Sequence, residues 1–288
     1  MARAMEVIEQ PETAGTDQLE LFVADLIDVN TKGDISSMEY PIFALSTKKD
    51  TEIYRFDNPD TGSWLEIIPS VKGRATIFDK DLMLYITSQL VEAQNRGKKT
   101  SRKVKIVAYD FLKATNRRTD GKSYAALSDV LARLRGTTFR SNIQEDGKVG
   151  KSRTGYVFGF IEDAVISEVN GRMTSIEVTI GERLAAAISR NEVLTYDRSY
   201  FQLRSPVARR LYELARKHCG NQAIWEISFE KLYRKFGTRA SLREFRRMIR
   251  KAVEEQAIPG YEVDYEIAAP KLNAKEKLII MPRQATLK

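Results

Sequence analysis

Apolar residues recur at helical spacing in several stretches of this chain, and strand-like stretches follow them in a repeated order. In the first half, helical patterns begin after Asp79, cover Ala108–Thr115 and begin again after Ser123. The strand-like segments TTFRSNI, TGYVFGFIEDAVI and SIEVTI follow, and the basic, glycine-containing segment EDGKVGKSR joins the first two. Three helices followed by strand, basic turn and strand predict a winged helix-turn-helix with EDGKVGKSR at the tip of its wing.

The same succession of elements recurs in the second half. Ser205-Pro206 begins a helix with proline at its first position, and the segment AIWEIS predicts a strand. Ser228 and Ser241 are typical N-caps for two further helices, and YEVDYEIA and KLIIMPR predict a closing hairpin. The order predicts a second winged-helix unit.

These patterns together predict an α+β fold with two tandem winged-helix domains and a short, partly disordered N-terminal extension. The predicted tail covers residues 1–40, the first domain residues 41–195 and the second domain residues 196–288. The first domain includes an N-terminal hairpin, because the β-rich runs TEIYRF and SWLEIIPSV flank a turn cluster at 58–62.

The charge is distributed unevenly along the chain. The 288 residues include 47 Lys+Arg and 39 Asp+Glu, a net charge of +8. Residues 93–160 hold 16 basic and 5 acidic residues, and residues 198–251 hold 15 basic and 4 acidic residues, so everything else is net negative. Each basic block coincides with one helical pattern, which favours two surfaces that bind a polyanion such as DNA over two solvated helix faces.

Composition also narrows the chemistry. With one His and one Cys, adjacent as His218-Cys219, the chain lacks the residues for a disulfide framework, a Cys-based zinc site or a paired-His metal site. It has no Gly-x-x-x-x-Gly-Lys-Ser/Thr loop, no secretory signal pattern and no apolar run that approaches the ~18 residues of a membrane span. We predict a cytoplasmic protein that is not an enzyme and needs no cofactor or metal, although its many acidic residues leave a metal-dependent nuclease open.

The strongest candidate for base recognition is the helix after Ser241. On a helical wheel, Leu242, Phe245, Ile249, Ala252 and Val253 share one side, and a basic stripe occupies the other. A guanidinium group can bind guanine through two parallel hydrogen bonds, and the alternative is pairing along the helix with Glu244, Glu254 and Glu255. The predicted DNA contacts of the second domain are Arg239, Ser241, Arg243, Arg246, Arg247, Arg250 and Lys251.

The corresponding helix of the first domain carries little positive charge on its outer face, where Ala125, Asp129 and Ala132 lie. Its basic residues flank the helix or surround the predicted wing, which suits phosphate contacts that position a protein without reading sequence. The predicted contacts of this domain are Arg117, Arg118, Lys122, Ser123, Arg133, Arg140, Lys148, Lys151 and Arg153. We therefore expect the second domain to supply most of the base specificity.

Several long segments resemble the RepA-like plasmid replication initiator family of proteobacteria. They are PSVKGRATIFDKDLMLYITSQL, VKIVAYDFLKATNRRT, ALSDVLARLRGT, NEVLTYDRSYFQLRSPVARRLYELARKHCG and ASLREFRR, in order over residues of about 20–260. The resemblance implies sequence-specific binding to direct repeats in origin double-stranded DNA, local duplex opening, and recruitment of the host initiator and the replicative helicase. It also implies a monomer on the repeats, a homodimer that represses its own promoter, and a place in the bacterial cytoplasm with the nucleoid and plasmid. A transcriptional repressor or partition protein with the same two domains is the alternative.

The pentapeptide QLELF lies near the end of the predicted tail. It is similar to the motif by which bacterial proteins bind the DNA polymerase sliding clamp, where Leu and Phe anchors enter an apolar cleft. The candidate clamp-binding residues are Gln18, Leu19, Leu21 and Phe22. The alternative is the first turn of a structured element, since apolar residues continue after the motif.

Overall fold

The computed structural model describes residues 30–144, 148–149, 155–220, 222–266 and 276–283. The helices are α1 Ile35–Glu39, α2 Lys80–Asn95, α3 Ala108–Ala114, α4 Gly121–Gly136, α5 Glu182–Ser189, α6 Pro206–Cys219, α7 Phe229–Phe236 and α8 Leu242–Glu254, with a 3-10 helix at Arg198–Gln202. The strands are β1 Lys32–Asp34, β2 Tyr54–Asn58, β3 Ser63–Ile68, β4 Lys103–Val107, β5 Thr138–Ser141, β6 Tyr156–Gly159, β7 Ile161–Val169, β8 Arg172–Ile180, β9 Val193–Thr195, β10 Trp225–Ser228, β11 Tyr261–Glu266 and β12 Lys277–Pro282. The predicted α+β fold is confirmed.

The first unit has the connectivity of a winged helix. In chain order it contains α2, β4, α3, α4, β7 and β8, and its three strands form an antiparallel sheet in the order β4-β8-β7. Asn170 and Gly171 join β7 to β8 with φ angles of 51° and 70°. An Asn-Gly pair with positive φ at both positions is typical of a two-residue hairpin turn, so β7 and β8 are the wing of this unit.

The prediction that EDGKVGKSR is the tip of the first wing is wrong. This segment joins β5 to β6, and these two strands belong to a different sheet, in the order β2-β3-β5-β6. That sheet also contains the predicted N-terminal hairpin, in which Tyr54–Asn58 pairs with Ser63–Ile68. The pattern could not separate two consecutive hairpins, and it missed β4, whose pairing with β8 decides which hairpin is the wing.

The second unit repeats the connectivity of the first. It contains α6, β10, α7, α8, β11 and β12, and its sheet has the order β10-β12-β11. The predicted N-caps are confirmed: the side chains of Ser205, Ser228 and Ser241 each accept a hydrogen bond from a backbone N–H three residues later. Gly237 ends α7 in the left-handed conformation, with φ at 62°.

Two hydrophobic clusters lie in the described residues, one for each unit. The inner face of α4 buries Leu127, Val130, Leu131 and Leu134 in the first cluster. The second cluster holds Phe245, Ile249 and Ala252 of α8, and it also takes in Met38 and Leu84 from the N-terminal half. The hydrophobic packing therefore continues across the predicted domain boundary at residues 195–196. The exact domain boundaries stay a prediction.

Buried ion pairs between α2 and α6 join the two units. Lys80 Nζ lies 2.8 Å from Glu213 Oε1, and Asp81 Oδ1 lies 2.5 Å from an Arg209 guanidinium nitrogen. All four side chains are at least 97% buried. Charges removed from water must keep their partners, so these pairs hold α2 against α6 in one arrangement. None of the helices in the described ranges is long and apolar enough to cross a bilayer.

Candidate nucleic-acid interface

Helix α8 is the second helix of the helix-turn-helix in the second unit. Its backbone begins after Ser241, whose hydroxyl accepts the Glu244 N–H at 3.3 Å. Phe245 and Ile249 are fully buried and fix the inner face. Leu242, predicted on this face, is instead 37% exposed, because it lies in the first turn beyond the edge of the core, while Met248 packs partly against the core.

The outer face of α8 carries the predicted arginine row. Arg243, Arg247 and Arg250 are all exposed, which places three guanidinium groups on one face over two turns. Arg247 pairs with Glu244 at 2.5 Å, and Arg250 lies 5.5 Å from the ring centre of Tyr265. Among the described residues, Arg243 has no ion-pair partner. The pairing along the helix that the sequence offered as an alternative therefore exists for Arg247, and Lys251 pairs similarly with Glu255 at 3.6 Å.

Two other predicted contacts of this domain are engaged within the protein. Arg239 binds the loop before β2, with its Nε 3.1 Å from Asp50 Oδ2 and a second guanidinium nitrogen 3.1 Å from Glu52. Arg246 makes a two-nitrogen contact with Glu276 at 2.9 Å beside β12. Arg239 therefore holds the loop before β2 against the chain that leads into α8, and Arg246 holds the segment before β12 against the second turn of α8.

In the first domain, Arg117 and Arg133 point into the structure. Arg117 donates to Phe78 O at 2.6 Å and to Asp81 Oδ2 at 3.0 Å. Arg133 binds both carboxylate oxygens of Asp79, at 2.7 and 2.8 Å. The side chain of Asp79, just before α2, makes no capping bond, because it accepts from Arg133 and from the Thr76 N–H at 2.8 Å. These two arginines hold α4 and the α3–α4 turn against α2.

The start of α4 also differs from the prediction. The helix begins at Gly121 rather than after Ser123, and Asp120 is its N-cap. Ser123 donates both its N–H and its hydroxyl to Asp120 Oδ1, at 3.0 and 2.9 Å. Asp120 lies three positions before Ser123 and offers a carboxylate, which is the stronger acceptor for the first-turn N–H groups. Arg118 and Lys122 are exposed around this helix start, and Arg118 pairs with Asp120 at 3.2 Å.

Two other predicted contacts of the first domain, Arg140 and Lys148, lie on β5 or between β5 and β6, outside its wing. Arg140 is on β5 and pairs with Glu66 of β3 at 3.1 Å. Lys148 is exposed in the segment between β5 and β6. Lys151, Arg153 and the candidate clamp-binding residues Gln18, Leu19, Leu21 and Phe22 lie outside the described residues. For every residue predicted to contact DNA, the contact itself stays a prediction.

The His218-Cys219 pair lies at the end of α6, as expected. His218 stacks on Trp225 with ring centres 4.6 Å apart, and its Nε2 lies 3.0 Å from Glu39 Oε2. Burial lowers the pKa of His218, and the neighbouring Lys217 pairs with Glu39 at 2.5 Å. Burial also raises the pKa of Cys219 to about 11. Over the described part of the chain, no group of three His, Cys, Asp or Glu side chains is placed to hold a metal ion.

One basic feature next to α8 was not found from the sequence. Lys48 and Lys49 are exposed and line, with Met248 and Glu244, an open groove of about 870 Å³. In the sequence these lysines belong to the polar run Ser46-Thr47-Lys48-Lys49, which lies outside both basic blocks. Only the fold brings this run to the second domain.

Comparison with known proteins gives the family. The family model described as Replication initiator protein A matches residues 32–263. A protein of Wigglesworthia glossinidia brevipalpis named "Putative replication protein" is 35% identical over 255 residues, which are 86% of this chain and 90% of that protein.

Solved structures share the fold. Two crystal structures of domains 2 and 3 of RctB align with TM-scores of 0.59 and 0.56 at 13% and 12% identity, over 86% of this chain and 98% and 96% of those chains. The Pi initiator protein in complex with iteron DNA aligns less closely, with a TM-score of 0.49 at 16% identity over 81% of this chain and 97% of that chain. The resemblance to replication initiators inferred from the sequence is confirmed. The chain belongs to the Replication initiator protein A family, and its function is to initiate replication.

Proposed function

We propose that this initiator acts on a plasmid origin, where both winged helices bind directly repeated DNA and α8 reads the bases. The observation that carries the proposal is the exposed row of Arg243, Arg247 and Arg250 on the outer face of α8. In helix-turn-helix proteins the second helix enters the major groove, and its N-terminal residues contact base edges. Arg243 and Arg247 lie in the first two turns of α8, where this geometry requires them.

The pair between Arg247 and Glu244 is compatible with base recognition. Both side chains are solvent-exposed, at 70% and 45%, and exposed ion pairs exchange readily for other partners. Arginine binds guanine O6 and N7, and a glutamate can accept from the cytosine amino group. The pair therefore leaves both side chains available on the face that would meet the groove.

The first domain suits a positioning role. Arg117 and Arg133 are held by Asp81 and Asp79, which leaves Arg118 and Lys122 as the exposed cations around the start of α4. Few cations around the helix start and an outer helix face with little positive charge favour phosphate contacts over base contacts. The division of labour predicted from the sequence, with specificity in the second domain, is therefore part of the proposal.

Footprinting on the DNA that flanks the gene tests the proposal. Two winged helices on one DNA face should protect about two helical turns per repeat, at ~10.5 base pairs per turn. Directly repeated protection is the expected result. One palindromic footprint at a promoter would instead indicate a transcriptional repressor, and protection independent of sequence would refute base recognition.

Two variants separate base reading from phosphate binding. Arg247→Ala should relax sequence choice at one base pair by roughly 5- to 150-fold in relative affinity. Lys151→Ala should weaken binding to all DNA alike and lower the salt slope by about 1. Selection of bound sequences from a random pool and salt titrations measure both, and the reverse pattern would refute the division of labour.

The further steps of initiation are also proposals. After binding repeats as a monomer, the protein would open the duplex and recruit the host initiator and replicative helicase, and as a dimer it would repress its own promoter. It would do so in the cytoplasm, associated with the plasmid and nucleoid. We expect no strand cleavage, and a magnesium-dependent nicking assay on supercoiled origin plasmid tests this; nicked product would indicate an enzyme.

Binding to the polymerase sliding clamp through QLELF is a separate proposal. Replacing Leu21 and Phe22 together by alanine removes both apolar anchors and should abolish clamp pull-down while origin binding persists. The matched control is Glu20→Ala, at the variable position of the motif. Retention of clamp binding by the double variant would refute the motif.

A further inference from the structure

Two loops form a protruding basic bridge between the recognition helices α4 and α8. The first loop is residues 46–53 and the second is the turn 70–73. The Arg74 N–H donates to Asp50 O at 2.7 Å, and a Cβ on Gly73 would lie 3.3 Å from Asp50 N, so the loops are in close contact. Val71, at the tip of the turn, is 84% exposed, which shows how far the bridge projects.

The bridge touches both recognition helices. On one side, Lys72 Nζ lies 3.2 Å from Asp129, which is on the outer face of α4. On the other side, Asp50 Oδ2 lies 3.1 Å from the Nε of Arg239, three residues before α8 begins. Arg239 also donates to Glu52 O at 3.0 Å. The bridge therefore spans the surface from the outer face of α4 to the first turn of α8.

The charge of the bridge favours an anion. Arg239 satisfies Asp50 and Glu52, the two acidic residues of the first loop. Lys48 and Lys49 are exposed, and neither has an ion-pair partner within the ranges that the structure describes. The one ion pair of Lys72 in the described part of the chain is with the solvent-exposed Asp129, and such a pair exchanges easily for a phosphate.

We propose that this bridge is a third DNA contact, in which Lys48, Lys49 and Lys72 bind the phosphates between the two major-groove sites. The inference rests on the proposed binding of both winged helices to one DNA face. If α4 and α8 enter successive major grooves, the bridge between the two helices faces the sugar-phosphate backbone that lies between those grooves. The contact would fix the spacing of the two half-sites without reading bases.

The test compares two variants with the same loss of charge. Lys48→Gln with Lys49→Gln changes the bridge, and Lys98→Gln with Lys99→Gln is the control. Lys98 and Lys99 are exposed just beyond the C-terminal end of α2. The bridge lies near the other end of α2, because Ala44, just before the first loop, pairs with Thr76, just before the helix. The 16 residues of α2 separate these ends by about 24 Å.

Each phosphate contact contributes a salt slope of about 0.9, so the bridge variant should lose about 1.8 from the slope of log affinity against log salt. The wild type should bind a single origin repeat more tightly than the bridge variant at 50 mM salt. The ratio of the two affinities should fall roughly 12-fold between 50 and 200 mM salt. Hydroxyl-radical protection between the two major-groove sites should disappear only in the bridge variant. All four lysines are exposed, so thermal melting should match the wild type in both variants.

The outcomes are distinct. In one, the wild type protects origin repeats while the bridge variant and the control variant show the same salt slope and the same hydroxyl-radical protection between the two major-groove sites. That result overturns the bridge proposal and leaves the proposed function standing. If the wild type does not protect origin repeats at all, both proposals fall.

Discussion

The buried ion pair between Lys80 and Glu213 gives the sharpest test of how the two units are held together. The change is Glu213→Gln, which keeps the shape of the side chain and removes its charge. In the wild type, Glu213 Oε1 accepts from Lys80 Nζ and from the Tyr200 hydroxyl, both at 2.8 Å. Arg210 would keep other acceptors, since it donates to Met38 O at 2.9 Å and Lys235 O at 2.6 Å. Arg210 also loses a carboxylate 3.4 Å away but keeps these carbonyls, so among the described residues Lys80 is the buried cation whose ammonium group is left without a hydrogen-bond acceptor.

The expected loss follows from this orphaned lysine. Breaking a buried pair by removing one partner costs about 3–5 kcal/mol of unfolding free energy. The orphaned lysine can also lose its proton, and at pH 7 this costs about 4.6 kcal/mol for a side chain with a pKa of about 10.4. That cost is the upper limit of the destabilisation caused by the unpaired charge. A loss of about 4 kcal/mol corresponds to a drop of roughly 8–16 °C in the melting temperature of a chain of this size.

The pH dependence identifies the cause. Burial lowers the pKa of Lys80 already in the wild type, and the charge of Glu213 opposes that effect. Without Glu213 the folded-state pKa falls further below the unfolded value, so the folded variant binds fewer protons than the unfolded chain. Its unfolding free energy then rises with pH, and its deficit against the wild type should shrink between pH 7 and pH 10 by up to about 1.4 kcal/mol per unit.

Melting temperatures of the wild type and variant from pH 7 to pH 10 provide the measurement. Adding Lys80→Met to Glu213→Gln removes the orphaned charge and should recover most of the loss. The control Asp60→Asn breaks the exposed pair of Asp60 with Lys231 at 2.8 Å and should leave melting within experimental error. A deficit that does not change with pH, or a double variant as unstable as the single one, would refute the argument.

Two further predictions concern positions whose roles differ from their appearance in the sequence. Gly237→Ala should lower the melting temperature by several degrees, because φ is 62° and the new Cβ would lie 2.3 Å from Pro41 Cβ; an unchanged melting curve would contradict it. Arg133→Ala should destabilise the protein by about 3 kcal/mol, since it leaves the buried carboxylate of Asp79 unpaired, whereas Arg118→Ala, at an 88% exposed side chain, should weaken DNA binding without changing denaturant unfolding. Equal unfolding midpoints for the two arginine variants would show that Arg133 is not structural.

Much of the local structure could be predicted from the chain alone. The hydroxyls of Ser205, Ser228 and Ser241 begin helices because they accept hydrogen bonds from backbone atoms three residues away. The buried face of α4 and the arginine row of α8 follow from residues three and four apart on one helix. Caps and helix faces depend on neighbours in sequence, so the sequence contains the whole of their cause.

Only the tertiary structure decided which charges are available to a ligand. Arg117 and Arg118 are adjacent in sequence, yet one binds a buried carboxylate of α2 and the other is exposed. The wing of the first unit depends on the pairing of β4 with β8, across some 70 residues, and the pattern of either strand does not fix that partner. Likewise, Lys48 and Lys49 reach α8 only because Asp50 meets Arg239, 189 residues away. The sequence by itself determined most of the helices, the three serine caps and the exposed face of α8, whereas strand partners and ion pairs depend on distances that only the folded chain sets.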